Sequence, residues 1–121
     1  MRADRSDDLQ YLEDMLEAAE KIERFTAGMN RAAFKQDEKT VDAVLRNLEI
    51  IGEASKLLSE EVRSAYPAVQ WSAMAGMRDK LIHGYATVDL DIVWETVQRE
   101  VPLLIEQLDT LIEEIEHRGA R

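Results

Sequence analysis

The chain has 121 residues, 45% of them hydrophobic, with few aromatics, glycines or prolines, which suits one compact helical domain able to bury roughly two thirds of its unfolded surface. Cysteine is absent, so disulfides and thiolate metal sites are excluded. A formal charge of −10 argues against a general nucleic-acid binder with a basic face, yet it leaves room for a nuclease whose positive potential is local, or for a basic partner. The N-terminus, Met1 to Arg5, opens into charged sequence without the apolar stretch of a signal peptide, and no apolar run is long enough to span a bilayer. A soluble cytoplasmic protein with no membrane contact is the expectation.

The first helix is expected to begin near Ser6, with Asp7 and Asp8 complementing the positive end of its dipole. Leu9, Leu12, Leu16, Ile22 and Phe25 recur at roughly helical spacing until Thr26-Ala27-Gly28 breaks the pattern. Asn30 to Gln36 suits one short turn. A second long helix should start near Asp37, where Val41, Val44, Leu45, Leu48, Ile51, Leu57 and Leu58 form an apolar face too wide for a single neighbour. Ser59 then reads as the N-cap of a short segment closed by Pro67. A third long helix is expected from about Ser72 to His83, with Ala73, Met74, Met77 and Leu81 turned to the core and Gly84 as a left-handed cap. Asp89 or Asp91 caps the last helix, which Pro102 should kink near Gln98 to Val101. The charged stretch from Glu113 to Arg121 is expected to fray. No repeat or linker is visible. The pattern predicts an all-α single domain over residues 1–121, a four- to five-helix bundle.

The stretch Arg78-Asp79-Lys80-Leu81-Ile82-His83-Gly84-Tyr85 carries the chemistry. His83 is one of only two histidines, and a cation, a carboxylate and a phenol lie within a few residues of it. On a helix Asp79 and His83 are four apart and share a face, so the carboxylate can orient the imidazole and favour its protonated form. Arg78 and His83 are five apart, about 140° around the axis, and would meet only at a shared ligand. Tyr85 can swing back towards His83. This set suits phosphodiester cleavage without a metal ion. An imidazole takes the proton of a ribose 2′-hydroxyl or gives one to the leaving 5′-oxygen, and a guanidinium donates to the charge building on phosphorus. The requirement for a 2′-hydroxyl implies RNA. One histidine rarely serves as both acid and base, and a two-fold dimer would supply the second. A purely structural account covers the same residues, as basic side chains in a last turn followed by a glycine stop and an apolar contact.

The surroundings favour the chemical account. The chain resembles the HepT-like toxins of the HEPN superfamily, small helical bundles defined by R-x4-H, here as R-x4-H-x-Y. The likeness extends through Asp14 to Ala18, Ile22 to Thr26, Ala43 to Ala54 (with Gly52-Glu53), Trp71 with Ala75 to Asp79, and Val88 to Trp94, and so covers nearly the whole chain. It implies a metal-independent ribonuclease toxin of a type VII toxin–antitoxin system, needing no cofactor, and a homodimer with the site at the subunit interface. Arg78 and His83 carry over as the catalytic pair and Asp79 as a supporting polar residue. Tyr85 carries over as the residue to which a minimal nucleotidyltransferase antitoxin transfers AMP. Added phosphate charge beside His83 would repel RNA.

Other candidates are weaker. His117 with Glu113, Glu114 and Glu116 could suggest a metal site, but a solvated helix end is the simpler account. Met74 and Met77 read as core filling, and Trp71 and Trp94 as packing anchors rather than base-stacking platforms. Asn47 and Glu53 are polar on an apolar helix, and either support the site, cap loops or meet a dimer partner. A non-catalytic helical subunit that docks a nucleotidyltransferase and presents its substrate is the competing reading, and a purely structural dimer the third.

Overall fold

The computed structural model describes residues 5–83 and 88–119, with side chains over 7–81 and 88–118. The helices are α1 (Arg5–Thr26), α2 (Arg31–Gln36), α3 (Glu38–Leu57), α4 (Glu60–Ala65), α5 (Trp71–His83), α6 (Leu90–Glu95) and α7 (Val101–Gly119). A π-helical turn, Thr96–Glu100, joins α6 to α7 without a break. The architecture is therefore four long helices and two short ones, the all-helical bundle expected, with no strand among the described residues.

α3 packs against both α1 and α5, α7 lies along α1, and the short α2 touches α3 and α6. The width of the α3 face follows from its two long neighbours. Val44, Leu45, Leu48, Ile51 and Ala54 are all buried on it. Leu57 was expected on the same face but is 48% exposed, because the helix ends there and the next residue, Leu58, takes the core position. On α1 the buried set is Leu12, Met15, Ala18, Ala19 and Ile22, with Leu9 and Leu16 partly covered. Phe25, also expected inside, is 39% exposed and lies beneath the Arg24 guanidinium. The α1 end is set by Gly28, whose φ of 78° falls in the left-handed region that glycine enters without strain.

Four helix starts are capped by the residues whose chemistry suits the role. Asn30, Asp37, Ser59 and Asp89 each accept a hydrogen bond from a backbone N–H in the first turn that would otherwise lack a partner. Asp89, not Asp91, caps α6. Asp91 instead faces α2, where it pairs with Lys35 at 3.1 Å and Arg31 at 3.6 Å. Arg31 also pairs with Glu95, which in turn holds Arg99. Beneath this charged seam Phe34 of α2 is fully buried, its ring 5.3 Å from that of Trp94.

On α5, Leu81 is buried and Met74 and Met77 are partly covered, but Ala73 is exposed rather than turned inward. Helix α5 rests chiefly on α3, so only a narrow stripe of it is covered. A widened turn, not a simple break, lies where a proline kink was expected. There Val101 N–H donates to the Thr96 carbonyl, five residues back, just before Pro102 withdraws its donor. Beyond it α7 continues to Gly119, so of the stretch expected to fray Glu113 to Gly119 are helical, and residues 120–121 lie outside the described residues. Leu111, Ile112 and Ile115 are buried there, and Glu114 accepts a hydrogen bond of 2.9 Å from Tyr66 Oη.

Candidate active site at the α3–α5 crossing

Arg78 sits where α5 comes closest to α3, and Gly52 is what permits the approach. A Cβ on Gly52 would lie 2.2 Å from Arg78 Cβ and 2.7 Å from the Met74 carbonyl oxygen. Glycine inside a helix costs about 1 kcal/mol relative to alanine, so its presence here answers to packing. The stem of Arg78 lies directly on the α3 backbone as a result.

The next residue on α3 engages the guanidinium. Glu53 Oε2 stands 2.6 Å from Arg78 Nη2. That oxygen is sealed from solvent and has no aligned hydrogen-bond donor, so the contact is one of charge. On the other nitrogen, Arg78 Nη1 donates to Asp79 Oδ1 at 3.3 Å. Asp79 Oδ1 also accepts from Lys56 Nζ at 3.1 Å. The hydrogen bond from Lys56, followed by that from Arg78, holds the Asp79 carboxyl below the ordinary aspartate range. Two cations and two carboxylates thus alternate across the crossing, and their charges balance.

The Arg78 side chain is 24% exposed, whereas that of Asp79 is 50% exposed. The Glu53 side chain is 46% exposed, so the two acids differ instead in that the Glu53 oxygen facing Arg78 is sealed, whereas Asp79 has Lys56 as a second partner. It also lines a cleft of about 510 Å³ that runs between α1 and α3. Tyr11, Asp14 and Lys21 of α1 and Arg46, Asn47 and Ile50 of α3 form its walls. At its rim Lys21 pairs with Glu17 and Arg46 with Glu49. The cleft is mixed in charge, not basic.

His83 is the last residue of α5, five positions beyond Arg78 and so about 7.5 Å further along the helix axis. Its side chain, Gly84 as the expected helix cap and Tyr85 as the expected modification site lie outside the described residues, as does the contact expected between Asp79 and His83. Asp79 is instead seen bridging Lys56 and Arg78.

Of the weaker candidates, Glu53 joins the site directly. Asn47 lines the cleft but donates its Nδ2 to the Ala43 carbonyl at 2.8 Å, one turn back along its own helix. Trp71 and Trp94 are both buried, and Trp71 Nε1 donates to the Tyr66 carbonyl at 3.1 Å, so both are packing anchors. His117 is exposed in the last turns of α7. Two members of the site went unassigned in the sequence reading. Gly52 could have been suspected as a lone glycine in an apolar helical pattern. Lys56, a lysine on a helix with other charged residues, carried no comparable signal.

Comparison with known proteins bears on this geometry. Residues 15–111 match the family model HepT-like, described as ribonuclease HepT-like. A Thermococcus cleftensis protein named Probable ribonuclease HepT is 49% identical over 94 residues, covering 78% of this chain and 86% of that protein. A Methanocaldococcus jannaschii protein, named provisionally as an RNase, is 43% identical over 106 residues, 88% of each chain. A Caldanaerobacter subterraneus protein, also provisionally named as an RNase, is 41% identical over 103 residues, 85% of this chain and 92% of that protein. No solved structure matches the chain. With a family model spanning most of its length and relatives this similar over most of theirs, the chain belongs to the HepT-like family.

Proposed function

We propose that the chain is a ribonuclease toxin that cleaves RNA without a metal ion, with Arg78 and His83 as its catalytic residues. The observation that carries the reading is Arg78. A guanidinium lies at a cleft between two carboxylates, one of which has a lysine as a second partner, on the helix that ends at His83. The family assignment and the RNase names of the relatives support the same reading.

The chemistry is proton transfer with charge stabilisation. An imidazole removes the proton from a ribose 2′-hydroxyl, and that oxygen attacks phosphorus. The bond to the 5′-oxygen breaks, and an imidazolium supplies the proton that oxygen requires, leaving a 2′,3′-cyclic phosphate. Positioned proton transfer contributes about 10²–10⁴-fold, and a guanidinium aimed at the phosphoryl oxygens adds to it. Each chain has one histidine in the motif, so a homodimer that brings two copies together would supply base and acid from two subunits. The partner in this reading is a nucleotidyltransferase antitoxin of a type VII system, which silences the toxin by placing AMP on Tyr85.

The test is incubation of purified, unmodified protein with total RNA in excess chelator, beside His83→Ala. Cleavage by the parent alone is expected. Cleavage by both proteins would remove His83 from the mechanism. Cleavage by neither, once intact mass shows an unmodified chain, would favour a docking subunit for the nucleotidyltransferase.

A further inference from the structure

We infer that Glu53 is a positioning residue for the proposed reaction: it anchors one edge of Arg78 so that the other edge is presented to the scissile phosphate. The inference rests on the functional reading above, and adds to it a residue outside the R-x4-H-x-Y stretch.

Three observations converge on it. The first is steric. Gly52 lets the Arg78 stem lie on the α3 backbone, so the guanidinium emerges beside the next residue on α3 and has little freedom to go elsewhere. The second is energetic. Glu53 Oε2 is sealed from solvent and has no aligned hydrogen bond, only the charge of Arg78 Nη2 at 2.6 Å. The Glu53 side chain is 46% exposed, yet this one oxygen is turned inward without a hydrogen bond, an arrangement that adds little to stability. Such groups call for an explanation other than folding.

The third is the asymmetry of the two carboxylates. Asp79 already has Lys56 as a second partner, so it can release Arg78 Nη1 without being stranded. Glu53 has no such alternative among the described residues. An arriving phosphate oxygen would therefore take the Nη1 edge while Nη2 stays on Glu53 and Asp79 stays on Lys56. The guanidinium would be held in plane during the reaction, with only one weak bond exchanged. Preorganisation of that kind raises the rate because nothing has to be reoriented as charge develops.

Glu53→Gln keeps the shape and removes the charge. Single-turnover cleavage by this variant should fall about 10- to 100-fold, the cost of a misplaced catalytic group. The loss should appear in the rate at saturating RNA more than in its half-saturation, and thermal unfolding should change little. In an Arg78→Ala background the same substitution should change the rate less than about twofold, since Glu53 acts through that guanidinium. A readout independent of catalysis is the NMR spectrum of the Arg78 side chain in arginine-labelled protein. Hindered rotation should give two resolved Nη signals in the parent that merge in Glu53→Gln. Parental cleavage by Glu53→Gln, or an equal loss in the Arg78→Ala background, overturns the inference. If the parent cleaves no RNA, the functional reading fails separately. The Nη signals then decide: merging on substitution upholds Glu53 as the anchor, and identical spectra overturn it.

Discussion

Replacing Gly52 by alanine puts the close approach of α3 and α5 to the test. The added Cβ would meet Arg78 Cβ at 2.2 Å and the Met74 carbonyl oxygen at 2.7 Å, where ordinary contact begins at 3.4 Å. Neither neighbour is the flexible end of a side chain, so α3 and α5 must separate by roughly 1 Å at this point. Overpacking of this sort costs about 1–3 kcal/mol, against which alanine recovers about 1 kcal/mol of helix propensity. The net loss of stability should be about 0–2 kcal/mol, read by urea unfolding followed by circular dichroism. Cleavage should suffer far more. Moving a catalytic group by about 1 Å costs on the order of 100-fold, so the rate on RNA should collapse while the fold survives. The internal control is Gly76, mid-helix on α5, where an added Cβ meets nothing within 4 Å. Gly76→Ala should gain about 0.5–1 kcal/mol. A Gly52→Ala protein as stable and as active as the parent would refute the close approach and with it the placement of Arg78.

Three further outcomes follow from the packing and the caps. Phe34→Ala empties a fully buried site against Trp94 and should cost about 3–5 kcal/mol, with a red-shifted tryptophan emission reporting the opening; an unshifted spectrum with parental stability would contradict the contact. Asp8→Ala leaves the Ser59 N–H and Oγ without their acceptor at 2.8 Å and 2.7 Å, and should cost about 1–3 kcal/mol in chemical unfolding. Asp37 is held below its ordinary value of 3.8, chiefly by the backbone N–H of Thr40. Its folded pKa is thus the lower one, so its contribution is present above the unfolded value and fades as pH falls below 3.8 towards the folded one. Asp37→Asn should flatten that part of the acid limb of a stability–pH curve, and an unchanged slope would show that the cap does not act through its charge.

Most of the helical frame was readable from local chemistry, because helix ends are decided by single residues. Asn30, Asp37, Ser59 and Asp89 each present a side-chain oxygen to a free N–H, and Gly28 alone tolerates its backbone angle. What failed was the assignment of faces near helix ends and on α5. Leu57, Phe25 and Ala73 have inward-looking spacing, but each is exposed among the described residues, and spacing carries no information about neighbours. The last turns of α7 were misjudged for the converse reason. Their charge suggested solvation, while Ile115 and the Tyr66–Glu114 bond tie them down from a distance in sequence. At the site, the motif marked Arg78 by its own spacing. Its partner Glu53, and Lys56, the second partner of Asp79, lie more than twenty residues away, and only the α3–α5 crossing brings them to the site.

The π-helical turn has a consequence for how the chain tolerates length. Val93, Val97, Val101, Leu104, Leu108, Leu111 and Ile115 are all buried, and the spacing between them passes from fours to an alternation of threes and fours at the turn. The wide turn holds one residue more than an α-helix would, and so lets one continuous ridge serve α2 at one end and α1 at the other. It is in effect a register joint. Removing a single residue from Thr96–Glu100 would let the segment relax to an ordinary helix with the faces on either side kept, whereas one residue added to α7 beyond the turn would rotate everything after it by about 100°. That insertion would carry Leu104, Leu108 and Leu111 out of the core together, whereas the wide turn has already absorbed one extra residue without disturbing them.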